Sequence, residues 1–345
     1  MIGVIKADAY GHGLPAVAKA LSAKGVKTLA VANIFEARTA SFSAPRSKIL
    51  LLSPLLREEI PEVVRHSYWI PTLSNLQELA AIEKEAMRQR KQVAIHLKLD
   101  TGMGRLGGFP LDTLSLLKRM DESRCLTATG LYTHFSSADI DKKETLRQFE
   151  KLKSFCRLAR EHGISVPAVH LQNSAGLMRI RGGELVNGVR PGLALYGIPH
   201  PLHIWKHRFG SQPLKPVLTW KTRIALLRTV PAGTPVSYAG THRTRRESLL
   251  AVLSAGYADG IPRKLSNRGE VLIHGKRCRI LGRVTMDMTV VDVTRVPNVR
   301  WGDTAVLIGK QGNDEITAHE FSGWAETNEY EALCNIGRRV PRIIL

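Results

Sequence analysis

Lys6 closes the short apolar run that begins at Ile2, and Tyr10, Gly11, His12 and Gly13 follow directly. Four further apolar runs end in a similar way. They lead into Lys98, Asp100, Thr101 and Arg105; into Thr133 and His134; into His170, Asn173 and Ser174; and into Arg190, Pro191 and Gly192. Cations, imidazoles and hydroxyls gathered at such ends suit an anionic ligand. Ser174 opens a helical stretch, so its hydroxyl and the first unpaired backbone N–H groups could hold a phosphate. Lys6, partly desolvated among other cations, has two reasons for a lowered pKa, and a neutral lysine amine can form a Schiff base. A phosphate-bearing aldehyde held in this way is pyridoxal phosphate, PLP. One lysine at the end of a strand is usually only solvated, and one buried histidine is more often structural. The weight therefore rests on all five groups taken together.

These groups need a frame that brings strand ends to one face. Short strands are predicted at Ile2–Lys6, Thr28–Ala32, Lys48–Ser53, Tyr68–Thr72, Val93–Asp100, Leu126–Phe135, Val169–Gln172 and Leu185–Val189. Helical spacing marks Leu14–Lys24, Phe35–Ser41, Ser74–Lys91, Leu111–Met120, Lys142–His162 and Ser174–Arg181, with Ser74 as the N-cap of the third and Gln77 three residues on. Alternating strands and helices imply a parallel sheet, and eight strands suggest a (β/α)8 barrel whose active site lies at the C-terminal strand ends. No helix follows the eighth strand. Pro191, Pro199, Pro201 and Pro213 then punctuate a linker. From Leu214 onward, β-rich runs separated by turns predict a smaller, mainly antiparallel domain. The expected division is a PLP-binding barrel over 1–212 and a mainly β domain over 213–345.

The composition fits this frame. The chain has 345 residues, and 43% of them are hydrophobic; the mean hydropathy is −0.10. These values describe a globular protein with a sizeable core. No uncharged apolar run approaches the roughly 18 residues that span a bilayer, and the N-terminus has no basic segment followed by a long apolar one. Cys125, Cys156, Cys278 and Cys334 form no C-x-x-C pair and lack zinc-ligand spacing, so neither disulfides nor a metal site are expected, and a cytoplasmic location fits. The formal charge of +20 raises a nucleic-acid reading. Against it, the basic clusters Arg243, Arg245, Arg246 and Arg338, Arg339, Arg342 are not interleaved with aromatics, and no nucleic-acid-binding signature is present. A basic surface that favours solubility and attracts anions is the simpler reading.

The chain resembles the alanine racemases, PLP-dependent enzymes that interconvert L- and D-alanine for bacterial cell walls. The resemblance rests on VIKADAYGHG (Val4 to Gly13), KLDTGMGR (Lys98 to Arg105), THFSSAD (Thr133 to Asp139), HLQNSAG (His170 to Gly176), VRPGLALYG (Val189 to Gly197), SAGYADGIPR (Ser254 to Arg263), GRVTMDM (Gly282 to Met288) and EYEALC with RVPR (Glu329 to Cys334, Arg339 to Arg342). One such motif is a weak signal; this many in order across two domains is specific.

The resemblance implies a role for each matched residue. Lys6 carries PLP and is one catalytic base, and Tyr257 is the other, so that a proton leaves one face of Cα and returns on the opposite one. Tyr10, Ser174, Tyr330 and the backbone at Gly192 and Leu193 hold the phosphate. Arg190 faces the pyridine nitrogen and keeps it unprotonated, His170 hydrogen-bonds Arg190, and His134 and Asn173 complete the cofactor site. Arg105 and the Met286 backbone N–H bind the substrate carboxylate. Lys98 matches a lysine that is carbamylated in this family, which converts a cation into an anion able to position Arg105. The resemblance further implies a head-to-tail homodimer in which Tyr257 and Met286 serve the partner's site. A tyrosine of ordinary pKa, near 10, is a poor base, so nearby cations must tune it, with His134 as a candidate relay. D-alanine for peptidoglycan is the implied product.

Two other readings fit less well. Decarboxylases of similar architecture place a carboxylate at the pyridine nitrogen and a cysteine where Tyr257 stands. PLP carriers without catalysis usually end after the barrel. The sequence departs from the family at Thr285, where a cysteine is common, and at Ser237–Gly240. Members of the family also carry a segment ahead of the PLP lysine that here is reduced to five residues. The expectation is bare apolar surface on the first and last barrel strands, at about 25 cal/mol per Å², and lower stability than a longer relative.

Overall fold

The computed structural model describes residues 1–165, 168–201, 203–205 and 214–345. The expected division between residues 212 and 213, and part of the expected linker, lie outside the described residues. The chain forms two compact units. The first comprises Met1–Ala9 and Gly13–Leu214, and the second Tyr10–His12 and Lys215–Leu345. The α/β barrel followed by an antiparallel β domain is the fold that the sequence predicts.

In the first unit, strands β1 (Ile2–Val4), β2 (Thr28–Val31), β3 (Lys48–Leu51) and β4 (Trp69–Ile70) pair in parallel, in that order. Strands β5 (Thr72–Leu73), β6 (Val93–Lys98), β7 (Leu126–Tyr132), β8 (Val169–Gln172) and β9 (Gly188–Val189) form a second parallel run. The single strand expected over 68–72 is therefore two, interrupted at Pro71, which has no N–H for the ladder. The Pro71 carbonyl still accepts from His96 N–H at 3.1 Å, and Val4 N–H donates to the Pro191 carbonyl at 3.3 Å, which links the first strand to the segment after the last. The strands read as unbroken apolar runs such as Ile49-Leu50-Leu51, all fully buried. This is the pattern of a parallel sheet covered on both faces.

Helix starts follow their caps. Asn33, Asn75, Asp141 and Asn173 each accept a backbone N–H three residues on. The helix expected to start at Ser74 is capped one residue later. Asn75 accepts from Glu78 N–H at 2.9 Å, while the Glu78 carboxylate reaches back to Ser74 N–H at 2.8 Å. Between β3 and β4, the short helix Ile60–Arg65 stands where the sequence shows no periodic run; it has Pro61 in its first turn. The eighth expected strand is shorter than 185–189, with only Gly188–Val189 paired.

The second unit is antiparallel throughout. Strands β10 (Trp220–Val230), β11 (Pro235–Val236), β12 (His242–Arg243), β13 (Ser248–Leu253), β14 (Glu270–Ile273), β15 (Lys276–Arg279), β16 (Thr289–Asp292), β17 (Thr304–Gln311) and β18 (Asp314–Ile316) include a main sheet in the order β15-β14-β17-β10-β13-β16. β18 pairs with β17, and β11 pairs with β12. Two short helices, Ala318–Trp324 and Glu329–Cys334, follow, and the Phe321 ring meets Trp220 edge-on at 5.7 Å.

Candidate active site

Lys6 follows β1 and opens an unusual turn. Ala7, Asp8, Ala9 and Tyr10 all have positive φ, between 51° and 55°, a left-handed conformation that costs about 1–2 kcal/mol per non-glycine residue. Local polar bonds oppose that cost. Ala7 N–H donates to the Glu36 carboxylate at 2.6 Å, and Ala9 N–H to the Ile5 carbonyl at 2.9 Å. The Asp8 carboxylate accepts from Leu14 N–H at 2.7 Å, at the head of the next helix. Strain held in this way is characteristic of sites where a side chain must be aimed.

Arg190, just past β9, is the centre of the first unit's cluster and is only 3% exposed. Nη1 donates to His170 Nδ1 at 2.6 Å and to the His170 carbonyl at 2.8 Å. Nη2 donates to the Thr133 carbonyl at 2.7 Å and approaches His134 Nδ1 at 3.3 Å. A guanidinium has no acceptor lone pair, so His170 Nδ1 must be bare and its proton must sit on Nε2. That nitrogen lies 2.9 Å from His96 Nδ1, so the tautomers run in one direction from Arg190 through His170 to His96. Burial, then the charge of Arg190, lowers the pKa of all three histidines: His96 to about 4, and His134 and His170 well below the usual value. All three are neutral near pH 7. The Arg190 Nε–H meets no acceptor among the described residues, so this donor remains for a ligand.

Tyr132 lies beneath these cations. His170 stacks on its ring at 4.9 Å, the Arg190 guanidinium stands 4.8 Å from the ring centroid, and the Lys98 ammonium 5.4 Å. Thr72 donates its only hydroxyl proton to the Leu51 carbonyl at 2.7 Å, so the Tyr132 hydroxyl is the donor in its 2.9 Å bond to Thr72. Lys98 ends β6 and is 5% exposed. Burial, then the charges of Arg105 and Arg190, lowers its pKa to about 8. Arg105 itself is exposed and has no carboxylate partner among the described residues. It leaves a loop held by Asp100, whose carboxylate accepts from Gly102, Met103 and Gly104 N–H at 2.8–2.9 Å.

Gln148, fully buried on the helix Lys142–Glu161, braces two of these strand-end loops. It donates to Thr101 Oγ1 at 3.2 Å and to the His134 carbonyl at 3.1 Å, and it accepts from Ser136 N–H at 2.9 Å. Asn173 is occupied as a helix cap, accepting from Gly176 N–H at 2.7 Å. Ser174 Oγ accepts from Gly192 N–H at 2.9 Å and from Ala194 N–H at 3.1 Å. With its acceptor sites filled, the Ser174 hydroxyl proton is free to point at an anion.

The second unit holds the remaining predicted residues. The rings of Tyr10 and Tyr330 lie 5.9 Å apart. Burial, then Tyr330 and Cys334, raises the Tyr10 pKa, so its phenol stays a proton donor. Gly11 needs its positive φ of 76°, and a Cβ there would clash with the Leu333 carbonyl. The Arg342 guanidinium bonds the Gly11 carbonyl at 3.0 Å, and those of Ile336, Gly337 and Val340 at 2.6–2.7 Å. Tyr257 starts a short 3-10 turn, Tyr257–Asp259, and is 45% exposed; Met286 is 53% exposed. Their segments are stitched together, with Tyr257 N–H on the Thr285 carbonyl at 2.9 Å and Ala258 N–H on the Met286 carbonyl at 3.0 Å.

The structure thus brings together Lys98, His134, His170 and Arg190 in one unit, and Tyr10 with Tyr330, and Tyr257 with Met286, in the other. Sequence reasoning missed Tyr132, His96 and Gln148. Tyr132 and His96 adjoin quoted motifs, at the end of LY before THFSSAD and in HL before KLDTGMGR. Gln148 has no such signal, because a helix interior position shows only that it is buried. Among the described residues no cluster of His, Cys, Asp or Glu is placed to hold a metal ion, and no helix is long and apolar enough to cross a membrane.

Residues 1–200 match the family model "Alanine racemase, N-terminal domain", and residues 217–344 match "Alanine racemase, C-terminal domain". A curated alanine racemase from Halothermothrix orenii is 40% identical over 346 residues, which cover 99% of this chain and 89% of that protein. Among solved structures, the Bacillus anthracis alanine racemase with bound L-Ala-P superposes with a TM-score of 0.91 at 32% identity, covering 100% of this chain and 88% of that one. A Bartonella henselae alanine racemase with covalently bound pyridoxal phosphate superposes at 0.85 and 30% identity, covering 99% and 91%.

Proposed function

Because this chain belongs to the PLP-dependent alanine racemase family, we propose that it interconverts L- and D-alanine with two bases, Lys6 and Tyr257, acting on opposite faces of the substrate Cα. PLP, when bound, supplies an electron sink that acidifies the Cα–H bond. Arg190 carries the reading. It is a dry guanidinium whose terminal nitrogens are taken up by carbonyls and neutral histidines, and whose Nε–H is left to donate. Such a donor suits the lone pair of a pyridine nitrogen and leaves it unprotonated. A carboxylate in that place would instead favour protonation.

The chain's own groups then divide the work. Tyr10, Tyr330, Ser174 and the Leu193 amide are donors for the phosphate, and Gly192 positions Ser174. His134 and Asn173 shape the cofactor side. Arg105 and the Met286 amide hold the substrate carboxylate. Lys6 and Tyr257 exchange roles with direction: one accepts the Cα proton, and the other delivers its own to the opposite face. Lys98, with a pKa near 8, keeps enough neutral amine near pH 7–8 to take up CO2 as a carbamate and so become an anionic partner for Arg105. We assign a homodimer in which Tyr257 and Met286 complete the partner's site, a cytoplasmic location, and D-alanine supply for peptidoglycan. The chain over 1–212 is the PLP-binding part.

The test is deuterium exchange. Incubated with either alanine enantiomer in D2O, the purified protein should place deuterium at Cα, and borohydride should fix PLP to Lys6. Alanine that inverts without acquiring solvent deuterium would sink the reading, and so would borohydride labelling of a different lysine.

A further inference from the structure

We infer that the N-terminal end of the barrel, opposite the candidate active site, binds a small dianionic phosphate held by the His96 imidazole and Lys48. The reaction proposed above gives this end of the first unit no role, and the inference does not depend on which residues act as bases. A cavity of about 560 Å³ opens there. Its wall forms where strands begin, with Lys24 and Lys27 just ahead of β2, Lys48 at the head of β3 and Gly188 at the head of β9. His96 and His170 border it from within. The interior of such a barrel is ordinarily closed by layers of bulky apolar side chains; here two imidazoles adjoin a cavity instead.

His96 is built into this position. It stands two residues before Lys98 on β6, so both side chains leave the same face of the strand. The pairing of β6 with β7 shifts between Ile95 and His96 and passes over Thr129, whose hydroxyl donates to the Ile95 carbonyl at 3.2 Å. Gly130, opposite His96, leaves room for the ring, since a Cβ there would stand 2.6 Å from Nε2. Arg190 donates to His170 Nδ1, so His170 donates through Nε2 to His96 Nδ1 at 2.9 Å. The proton of the neutral His96 ring therefore sits on Nε2. That N–H meets no acceptor among the described residues and opens onto the cavity, although His96 is only 6% exposed. A buried donor of this kind calls for a partner. The cavity's charge says which. Three lysines border it, and among the described residues none of them has an ion-pair partner and no Asp or Glu lines the wall. The Lys48 charge also reaches far enough to contribute to the lowered His96 pKa. A dry imidazole N–H backed by several ammonium groups suits an anion with more than one charge. Free phosphate and a phosphomonoester share that chemistry.

The test is calorimetric titration of the PLP-loaded full chain with inorganic phosphate at constant ionic strength. Loading the cofactor keeps phosphate from the cofactor's own phosphate site. One phosphate per chain should bind. Lys48→Gln, at an exposed position, should weaken that binding by about tenfold, the loss expected for a hydrogen bond to a charged group. His96→Phe, which keeps a ring and removes the donor, should weaken it comparably. If that variant fails to fold, Lys48→Glu, which reverses the charge at the exposed rim, should abolish binding. Arg105→Gln, at the catalytic end, should leave the affinity unchanged. Titration with glycerol phosphate separates the two sources: tighter binding that Lys48→Gln again weakens identifies a phosphomonoester, and equal or weaker binding identifies free phosphate. Absence of binding by either probe overturns the site. So does binding that Lys48→Gln leaves unchanged, whether or not Arg105→Gln reduces it.

Discussion

The two units hold their functional side chains by opposite means. In the first, Arg190, His170, His96 and Lys98 are at most 6% exposed, and burial is the leading cause of every pKa shift among them. Desolvation makes the imidazoles neutral, and the orientation of each hydrogen bond follows from the guanidinium that can only donate. In the second, Tyr257 and Met286 are about half exposed, and their segments are held by backbone bonds and by Arg339, which donates to Asp259 and Asp287. A dry network tunes protonation states; a stitched pair of loops sets direction and leaves its side chains accessible. The two clusters therefore differ in solvent exposure and in what holds them.

Four outcomes would sharpen this contrast or break it. The largest effect is expected at Lys6. Lys6→Ala should lower racemisation by about 10⁴-fold and abolish borohydride fixation of the cofactor, read by mass spectrometry of the peptide that spans residues 1–13. Next comes Arg190→Ala, which strands several buried acceptors at about 1–3 kcal/mol each. Its melting temperature should fall much further than that of Arg339→Gln, and comparable losses would erase the distinction between a dry and an exposed arginine.

The third outcome concerns acid. The folded-state pKa of each of the three buried histidines lies below 6.5, and that of His96 is about 4. In that window the unfolded chain binds more protons, so stability is intact above pH 6.5 and falls as pH drops toward 4, by up to about 1.4 kcal/mol per pH unit for each histidine. In the second unit the lowered groups are the carboxylates Asp314 and Glu326, whose usual values are 3.8 and 4.5; their contribution is lost only at lower pH. Hydrogen exchange of the intact chain between pH 7 and 5 should therefore rise first in peptides covering 126–135 and 169–190. An earlier rise in 304–316 would overturn the contrast. The fourth outcome is local: Gly256→Ala puts a Cβ within 2.5 Å of the Thr285 and Met286 backbone, an overpacking cost of about 3 kcal/mol or more, seen as a clear loss of melting temperature.

Much of this was legible in the chain. Apolar runs leading into Lys6, Lys98, His134, His170 and Arg190 marked the C-terminal parts of the strands, where the site of a parallel barrel lies. The second domain was legible from its turns. Other features were not. The split at Pro71 shows how a residue without an N–H divides a strand that hydropathy reads as continuous. In the left-handed turn from Ala7 to Tyr10 only Asp8 is of a type that visits that region with any ease, and the Ala7 N–H is held by Glu36, which lies in another element. His96, Tyr132 and Gln148 read as core, since alternation along a strand or helix reports that a side chain is buried but not what it faces. Asp259, Asp287 and Arg339 lie far apart in sequence and meet only in the folded chain, where Arg339 donates to both carboxylates.

By itself, then, the sequence determined the barrel, the β domain and the order of the chemistry-bearing motifs, because periodicity, turn residues and strand ends are local properties. Only the tertiary structure decided which histidine nitrogens carry protons, that Lys98 is lowered toward neutrality, and that one exposed arginine ties two loops together. Those are properties of desolvation and of geometry between distant residues, and neither exists until the chain has folded.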